Sequence, residues 1–300
     1  MLDFLQTDPV AFTIPLGDGF NIFWYGIIVT LGIAIGAWWA GREIERRGQN
    51  VDEFYNGLII VVFAGYFFAR LTFVLLDVID GRGAQYDTLG AIVNIRAGGV
   101  NILGGFIGAA LLGASYIRWR KLKFWHYADV AGPALLVAQA IGRWGNFINQ
   151  ELYGPPTKLP WGIAIDPLHR LFEYSDMTVY PPETRFHPTF LYESLALLIG
   201  FFLLIWLNKR YRGVWKAGTL FDIFMIWWGG NRAWIEFFRP DQPAIGDSVI
   251  TYSMLASLGI AAAGIILLLW RYNKLPDRRS AKRRQRRTLK PKPRREQLSE

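Results

Sequence analysis

The chain has 300 residues, of which 52% are hydrophobic and 16% aromatic, and it contains no cysteine. The lack of cysteine excludes structural disulfides, cysteine–zinc sites and an acyl-cysteine enzyme intermediate. A formal net charge of +9 is common among nucleic-acid-binding proteins. Here the excess lies in the carboxyl-terminal tail, so we expect no nucleic-acid partner and instead contact between that tail and anionic lipid.

Seven apolar stretches predict an all-α integral membrane protein. About 20 apolar residues are enough to cross about 30 Å of hydrocarbon, and no soluble domain of ordinary size remains between the stretches. The first 19 residues hold three aspartates and no basic residue, which is unlike a cleavable signal peptide. The predicted spans lie near residues 20–41, 55–78, 98–117, 127–148, 189–207, 217–236 and 248–270.

Lysine and arginine residues set the predicted orientation. Basic clusters follow the first, third and fifth spans and fill the tail, and together they hold most of the 33 basic residues. Because basic residues collect on the cytoplasmic side, we expect the amino terminus outside and the carboxyl terminus in the cytoplasm. The predicted domains are a seven-helix core over 1–275, a small external head inserted at 155–187 and a disordered basic cytoplasmic tail over 276–300.

A polar segment at the end of the fourth span is the strongest indication of a site. It holds an arginine, three amides and a glutamate, and charges at the centre of a membrane helix cost roughly 2.5–3.5 kcal/mol. Such groups usually mark function, although a buried polar seam between helices is the alternative interpretation. Spacings of three and four residues place four of these side chains on one predicted helix face: Gln139, Arg143, Asn146 and Gln150.

Polar groups from five predicted helices reach the same depth in the membrane. At about 1.5 Å per residue, Arg143 lies about 30 Å from the cytoplasmic edge of its span, Arg232 about 24 Å and Arg70 about 25 Å. Tyr25 lies near the outer start of the first span, and Asn101 lies near that of the third. We therefore expect these side chains to meet just inside the outer leaflet.

Three arginines at one depth require anions. Glu151 and Glu236 can balance part of this charge, and a lipid phosphate is the expected remaining partner. Simpler interpretations exist for single residues, because Arg232 and Glu236 can form a local salt bridge across one helical turn. Arg70 can likewise pair with an aspartate farther along its own span.

Several motifs follow one another in order along the chain. The longest is Gly142-Arg143-x-Gly145-Asn146-Phe147-Ile148-Asn149-x-Glu151-x-x-Gly154. The others are His187-Pro188-Thr189-x-Leu191-Tyr192-Glu193, Arg232-x-x-x-Glu236-Phe237-Phe238-Arg239, Ala69-Arg70-Leu71, and the glycine pairs Gly98-Gly99 and Gly104-Gly105. Over roughly residues 20–270 the chain thereby resembles the bacterial prolipoprotein diacylglyceryl transferases, with Phe190 at a position where the family has glutamine.

This resemblance implies an activity. The family moves the diacylglyceryl group of phosphatidylglycerol to the cysteine thiol of a lipobox in a preprolipoprotein, forming a thioether and releasing glycerol phosphate. It implies a multi-pass enzyme of the bacterial inner membrane that needs no cofactor and no metal. The implied partners are phosphatidylglycerol, the lipobox segment and membrane lipids. The thiol comes from the substrate, which agrees with a chain that has no cysteine.

The resemblance also assigns roles to the site residues. Arg143 and Arg232 neutralise the phosphate as it becomes a leaving group, where preorganised charge helps most, and Arg70 assists them. Tyr25 donates to a phosphate or ester oxygen, and Glu236 positions Arg232. The catalytic candidates are Arg143, Arg232, Glu151 and Tyr25, and the substrate-binding candidates are Arg143, Asn146, Asn149, Gly154, Arg70, Glu236 and Asn101.

Two positions depart from the family pattern. Leu103 stands where a histidine is often proposed as the base, and Trp228 replaces a tyrosine. These changes affect proton transfer more than lipid binding, and they leave Glu151 or His187 as alternative bases. They also favour a second hypothesis, a lipid-binding or lipid-moving relative without catalysis, which the intact segment around Arg143 opposes. A transporter is disfavoured because charged residues are missing at mid-membrane.

Overall fold

The computed structural model describes residues 8–15, 19–94, 99–240, 245–246, 248 and 250–273. The predicted tail over 276–300 and Gly98 lie outside the described residues. Among those that are described, seven helices have 17 residues or more, and each overlaps one predicted span. The helices are α1 (Trp24–Arg46), α2 (Val51–Ile79), a short α3 (Leu89–Val93), α4 (Ile102–Trp119), α5 (Phe124–Ile148), α6 (Thr189–Arg210), α7 (Thr219–Ile235) and α8 (Tyr252–Asn273).

Four helices in the described part of the chain are long and apolar enough to cross a membrane: α1, α2, α6 and α8. Helix α5 carries Asp129 and Arg143, which lower its apolar character, and α7 carries Asp222 and Arg232 and has only 17 residues. The prediction of an all-α membrane protein is thereby confirmed, and the chain is a multi-pass membrane protein.

Helix α5 lies at the centre of the bundle and packs against α1, α6 and α7, whereas α2 packs mainly against α4 and α7 against α8. The α1–α5 contact is close because glycines of α1 face the backbone of α5. A Cβ atom at Gly32 would lie 2.7 Å from the carbonyl oxygen of Ala138, and one at Gly36 would lie 2.8 Å from that of Ala134. Small residues of this kind let membrane helices approach closely, so α1 lies directly against α5.

Two small sheets accompany the helices. Strands β1 (Val10–Ile14) and β2 (Phe20–Phe23) form an antiparallel hairpin before α1, which the sequence did not lead us to expect. Strands β3 (Ile163–Ala164) and β4 (Arg185–Phe186) pair antiparallel in the segment between α5 and α6. This segment has its own buried core, formed by Tyr153, Ile163, Ile165, Tyr174, Phe186 and Phe190.

Candidate active site

The last turns of α5 meet the first turns of α6 through an ion pair. Arg143 donates from Nη2 to Glu193 Oε1 at 2.7 Å and from Nη1 to Asn146 Oδ1 at 3.2 Å. Asn146 in turn donates from Nδ2 to Glu151 Oε1 at 2.7 Å, and Asn149 contributes a longer contact of 3.5 Å to the same oxygen. Glu193 and Asn146 are buried, so one continuous chain of charge-assisted hydrogen bonds links the two helices.

The turn that carries Glu151 has an unusual backbone. Gln150 and Leu152 adopt φ angles of 54° and 57°, in the left-handed region that side chains other than glycine rarely occupy. Such residues cost about 1–3 kcal/mol each and persist where their surroundings fix them. Here the amide of Glu151 donates to the carbonyl of Asn146 at 3.0 Å, and the hydroxyl of Thr189 donates to the carbonyl of Leu152. The turn therefore directs Glu151 back toward α5.

The predicted helix face stops at the carboxyl end of α5. Helix α5 ends at Ile148, so Gln150 lies beyond it, and the side-chain oxygen of Gln150 accepts from the amide of Asp166 at 2.7 Å. Gln139 accepts from Trp228 Nε1 at 2.8 Å. Arg143 and Asn146 enter the hydrogen-bonded chain, whereas Gln139 contacts α7 instead. Gln150 is lost from the face because a helical spacing rule stops applying where the helix stops.

The second arginine forms the ion pair expected from its spacing. Arg232 Nη1 donates to Glu236 Oε2 at 2.5 Å, and Glu236 Oε1 accepts from the hydroxyl of Thr251 at 2.8 Å. Arg232 also interacts electrostatically with Glu193 and Arg143. The two ion pairs thus belong to one charged network at the ends of α5, α6 and α7.

Tyr25 lies beside this network at the start of α1. Its ring covers Gly145, where a Cβ atom would lie 2.7 Å from Tyr25 Cδ2. Its hydroxyl interacts electrostatically with Glu151 and Arg143, and 39% of the residue is exposed. A phenol in this place can donate to a group bound by Arg143.

Gly154 contributes through packing. It is buried, and a Cβ atom there would lie 2.9 Å from both His187 Cβ and the carbonyl oxygen of Phe238. Its amide donates to the carbonyl of His187 at 2.9 Å, while His187 Nδ1 contacts the hydroxyl of Tyr192 at 3.0 Å. Burial lowers the pKa of His187 below its usual 6.5, so the neutral ring is favoured where this loop meets the bundle.

Arg70 and Asn101 lie in the region of α2 and α4 and bind backbone groups. Arg70 donates from Nε to the carbonyl of Ile92 at 2.7 Å, and from its two Nη atoms to the carbonyls of Ala91 and Gly99 at 2.9 Å. The Asn101 side chain accepts from the amide of Gly104 at 3.1 Å and so caps α4. These contacts hold the connection between α2 and α4 in place.

Two buried polar residues on α6 and α7 were not anticipated. Glu193 lay in a quoted motif, but its pairing with Arg143 depends on how α5 packs against α6. Asn231 is buried, and its Oδ1 atom has no hydrogen-bond partner among the described residues. Asn231 lies one turn after Trp227 on α7. Trp227 donates to the carbonyl of Ala196 on α6 at 3.0 Å, so this face of α7 packs against α6. A buried acceptor without a partner costs about 1–3 kcal/mol and suits a donor from a ligand.

These observations define a class, a helical membrane protein in which paired arginines and carboxylates converge between the ends of central helices. Sequence comparison then specifies the family. The family described as "Prolipoprotein diacylglyceryl transferase" matches residues 9–270. The chain belongs to this family.

Named relatives are similar over most of their length. The protein from Chloroflexus aggregans is 36% identical over 274 residues, covering 87% of this chain and 88% of the relative. A protein from Bacillus cereus is 38% identical over 266 residues, covering 89% and 93%. One from Geobacillus kaustophilus is 39% identical over 230 residues, covering 76% and 81%. All three are named phosphatidylglycerol–prolipoprotein diacylglyceryl transferase.

Proposed function

We propose that this chain transfers the diacylglyceryl group of phosphatidylglycerol to the lipobox cysteine of a preprolipoprotein. The substrate sulfur forms a bond to the glyceryl carbon, the carbon–oxygen bond to phosphate breaks, and its electron pair leaves with glycerol phosphate. The thiol proton goes to a base. The observation that carries the proposal is the network of Arg143 and Arg232, in a chain that belongs to this family.

The N–H donors of Arg143 that its bonds to Glu193 and Asn146 do not use support binding of the leaving phosphate by this arginine. A guanidinium has five N–H donors, and the bonds of Arg143 to Glu193 and Asn146 use two of them. The carboxylates of Glu193 and Glu236 hold the two guanidinium planes, so little reorganisation is needed when negative charge develops on the leaving group. Tyr25 adds a hydroxyl donor beside them.

Leu103 cannot accept a proton, so the base is a different residue. We propose Glu151, whose carboxylate lies next to Asn146 and near Tyr25. The environment of the thiol assists, since nearby arginines lower the pKa of a cysteine. A positioned base contributes roughly 10²- to 10⁴-fold, so an enzyme with a less favourable base still turns over.

Asn231 offers a buried acceptor for the headgroup of the lipid substrate. Phosphatidylglycerol differs from other phospholipids in carrying a glycerol with free hydroxyl groups. We propose that one of these hydroxyls donates to Asn231 Oδ1, next to the phosphate held by Arg232. Support comes from the burial of this oxygen and from its lack of a partner in the described residues.

One assay separates this function from a non-catalytic lipid-binding relative. The purified protein in nanodiscs is incubated with phosphatidylglycerol labelled in its acyl chains and with a lipobox peptide. We expect label attached to the peptide cysteine through a thioether, and no label with a peptide in which serine replaces that cysteine. If the lipid binds but the peptide is not modified at any pH, the protein is the non-catalytic lipid-binding relative.

We also propose the topology of seven spans in the bacterial inner membrane, with the amino terminus outside, the segment 155–187 as an external head and the tail over 276–300 in the cytoplasm. Support comes from the lengths of α4, α5 and α7, which have 18, 25 and 17 residues. The chain has no cysteine, so single cysteines can be placed cleanly. A membrane-impermeant maleimide should label Lys158→Cys in intact spheroplasts and Lys123→Cys only after lysis, and the reverse pattern would overturn this orientation.

A further inference from the structure

A second polar cluster lies at the other end of α5 from the Arg143 network. Arg47 joins two carboxylates there, with Nε 3.1 Å from Glu43 Oε1 and Nη1 3.5 Å from Asp129 Oδ2. Asn208 completes the group, accepting from Arg47 at 2.9 Å and donating to Glu43 at 2.8 Å. Both carboxylates are buried. These four residues form a fixed floor at the ends of α1, α5 and α6.

A cavity of about 260 Å³ opens above this floor. Its rim carries Arg46 and Arg212, each with 55% of its side chain exposed, together with Lys216 and His126. An adjoining shallow depression is lined by Arg46, Arg212 and Lys209. The same two arginines therefore border both concave surfaces.

The carboxylates of the floor are already engaged. Glu43 accepts from Arg47 and Asn208, and Asp129 accepts from the amides of Gly218 at 2.8 Å and Phe221 at 2.9 Å at the start of α7. The rim arginines are farther from Glu43, at 3.9 and 3.6 Å. The cavity is lined by four lysine and arginine side chains and by only two carboxylates. The net charge of its lining is therefore positive.

We propose that this cavity binds a phosphate group, with Arg46 and Arg212 on either side of it. Guanidinium groups match the oxygens of phosphate bidentately, and the volume suits a headgroup-sized anion rather than an acyl chain. The bound anion bridges the end of α1 to the loop between α6 and α7. At about 1.5 Å per residue, it lies about 21 Å along α5 from Arg143, so it is separate from the transferase site. The phosphate can come from a lipid headgroup or from a free anion.

The test compares two double variants with equal loss of charge. Arg46→Gln with Arg212→Gln removes both rim arginines. Arg118→Gln with Arg210→Gln removes two exposed arginines at the ends of α4 and α6 that do not line the cavity. Thermal unfolding of delipidated full-length protein is followed against inorganic phosphate in detergent. It is followed separately in vesicles of phosphatidylcholine with and without phosphatidic acid.

We expect the transition temperature of the wild type to rise with at least one probe. The control variant should respond equally. So should the double variant Arg143→Ala with Glu193→Ala, which removes the phosphate ligand proposed for the transferase site without stranding a buried charge. The cavity variant should need at least about tenfold more probe, because two charged hydrogen-bond donors are lost. A response to inorganic phosphate identifies a free anion, and a response to phosphatidic acid alone identifies a lipid headgroup.

Two results would overturn the proposal: no response of the wild type to either probe, or equal responses of the cavity variant and the control variant. If the double variant does not fold, Arg46→Gln and Arg212→Gln are measured singly in the same titrations. A normal response in both single variants counts against the proposal as well.

Discussion

Arg143 on α5 and Glu193 on α6 form an ion pair with 2.7 Å between Nη2 and Oε1, and the Glu193 side chain is only 7% exposed. Removal of one member of such a pair leaves an uncompensated buried charge, which typically costs 3–5 kcal/mol. The pair therefore links the ends of α5 and α6 and holds the Arg143 guanidinium in one orientation.

Arg143→Lys should keep the protein folded and remove most of its activity. A lysine retains a positive charge for Glu193, but a point charge cannot reproduce the planar fork. We expect kcat/KM to fall by about 10²–10³, as for other lost charge-stabilising donors, while the transition temperature changes little. Near-normal turnover of labelled phosphatidylglycerol would exclude Arg143 as a phosphate ligand.

Glu193→Ala should destabilise the protein by about 3–5 kcal/mol, measured by denaturant unfolding in detergent. The double variant Arg143→Ala with Glu193→Ala should be more stable than Glu193→Ala alone, because it removes the stranded charge. Glu193→Gln should fold well and lose activity through kcat rather than KM, since the arginine is then less firmly held. Strictly additive effects in the double-mutant cycle would show that the pair is not coupled.

Gly145→Ala should reduce activity because its methyl group would displace the ring of Tyr25. Gly142→Ala is a matched control on the same helix, since a Cβ atom there meets only Val29 Cγ2 at 3.9 Å. We expect the control to retain turnover and to gain up to about 1 kcal/mol of helix propensity. Equal kinetics of the two variants would mean that Tyr25 does not need its present position.

Gly218→Ala should lower stability more than Gly213→Ala. Both glycines have positive φ angles, 96° and 75°, so both substitutions carry backbone strain of about 1–3 kcal/mol. At Gly213 a Cβ atom meets nothing within 4 Å, whereas at Gly218 it would collide with the guanidinium of Arg271, which is paired with Asp222. Thermal unfolding measures the difference, and equal losses would contradict a role for this contact.

Acid should weaken the loop that carries His187. The pKa of His187 is lowered below 6.5 by burial, so the unfolded state binds a proton at a higher pH than the folded state does. The stabilisation is fully present above about pH 6.5 and is lost as pH falls through the lowered folded pKa. Hydrogen exchange of the loop between pH 7.5 and 5 should show this loss. His187→Gln should remove that part of the pH dependence.

The helices could be predicted because their apolar stretches are long, and the seven long helices in the described part of the chain overlap the predicted spans. The ion pair of Arg232 and Glu236 was also predictable, since both residues lie on one helix and their spacing fixes their distance. Local rules of this kind need no knowledge of tertiary packing.

The remaining contacts of the site could not be predicted without knowledge of the fold. Glu193 meets Arg143 only because α5 and α6 pack at one register, which no spacing within the chain specifies. Gln150 leaves the helix face because the backbone enters the left-handed region there, without a glycine to signal it. Arg70 binds three backbone carbonyls of a connection whose course could not be read from residue types. The hairpin of β1 and β2 was missed because its strands are short.

Helix α5 carries charge near both ends, with Asp129 in the floor cluster and Arg143 in the site, about 21 Å apart at about 1.5 Å per residue. Asp129 is buried and Arg143 is paired with Glu193, so each charge is balanced inside the bundle and not against lipid chains. Because both residues belong to one continuous helix, a displacement of α5 along its axis would move the two charged clusters together.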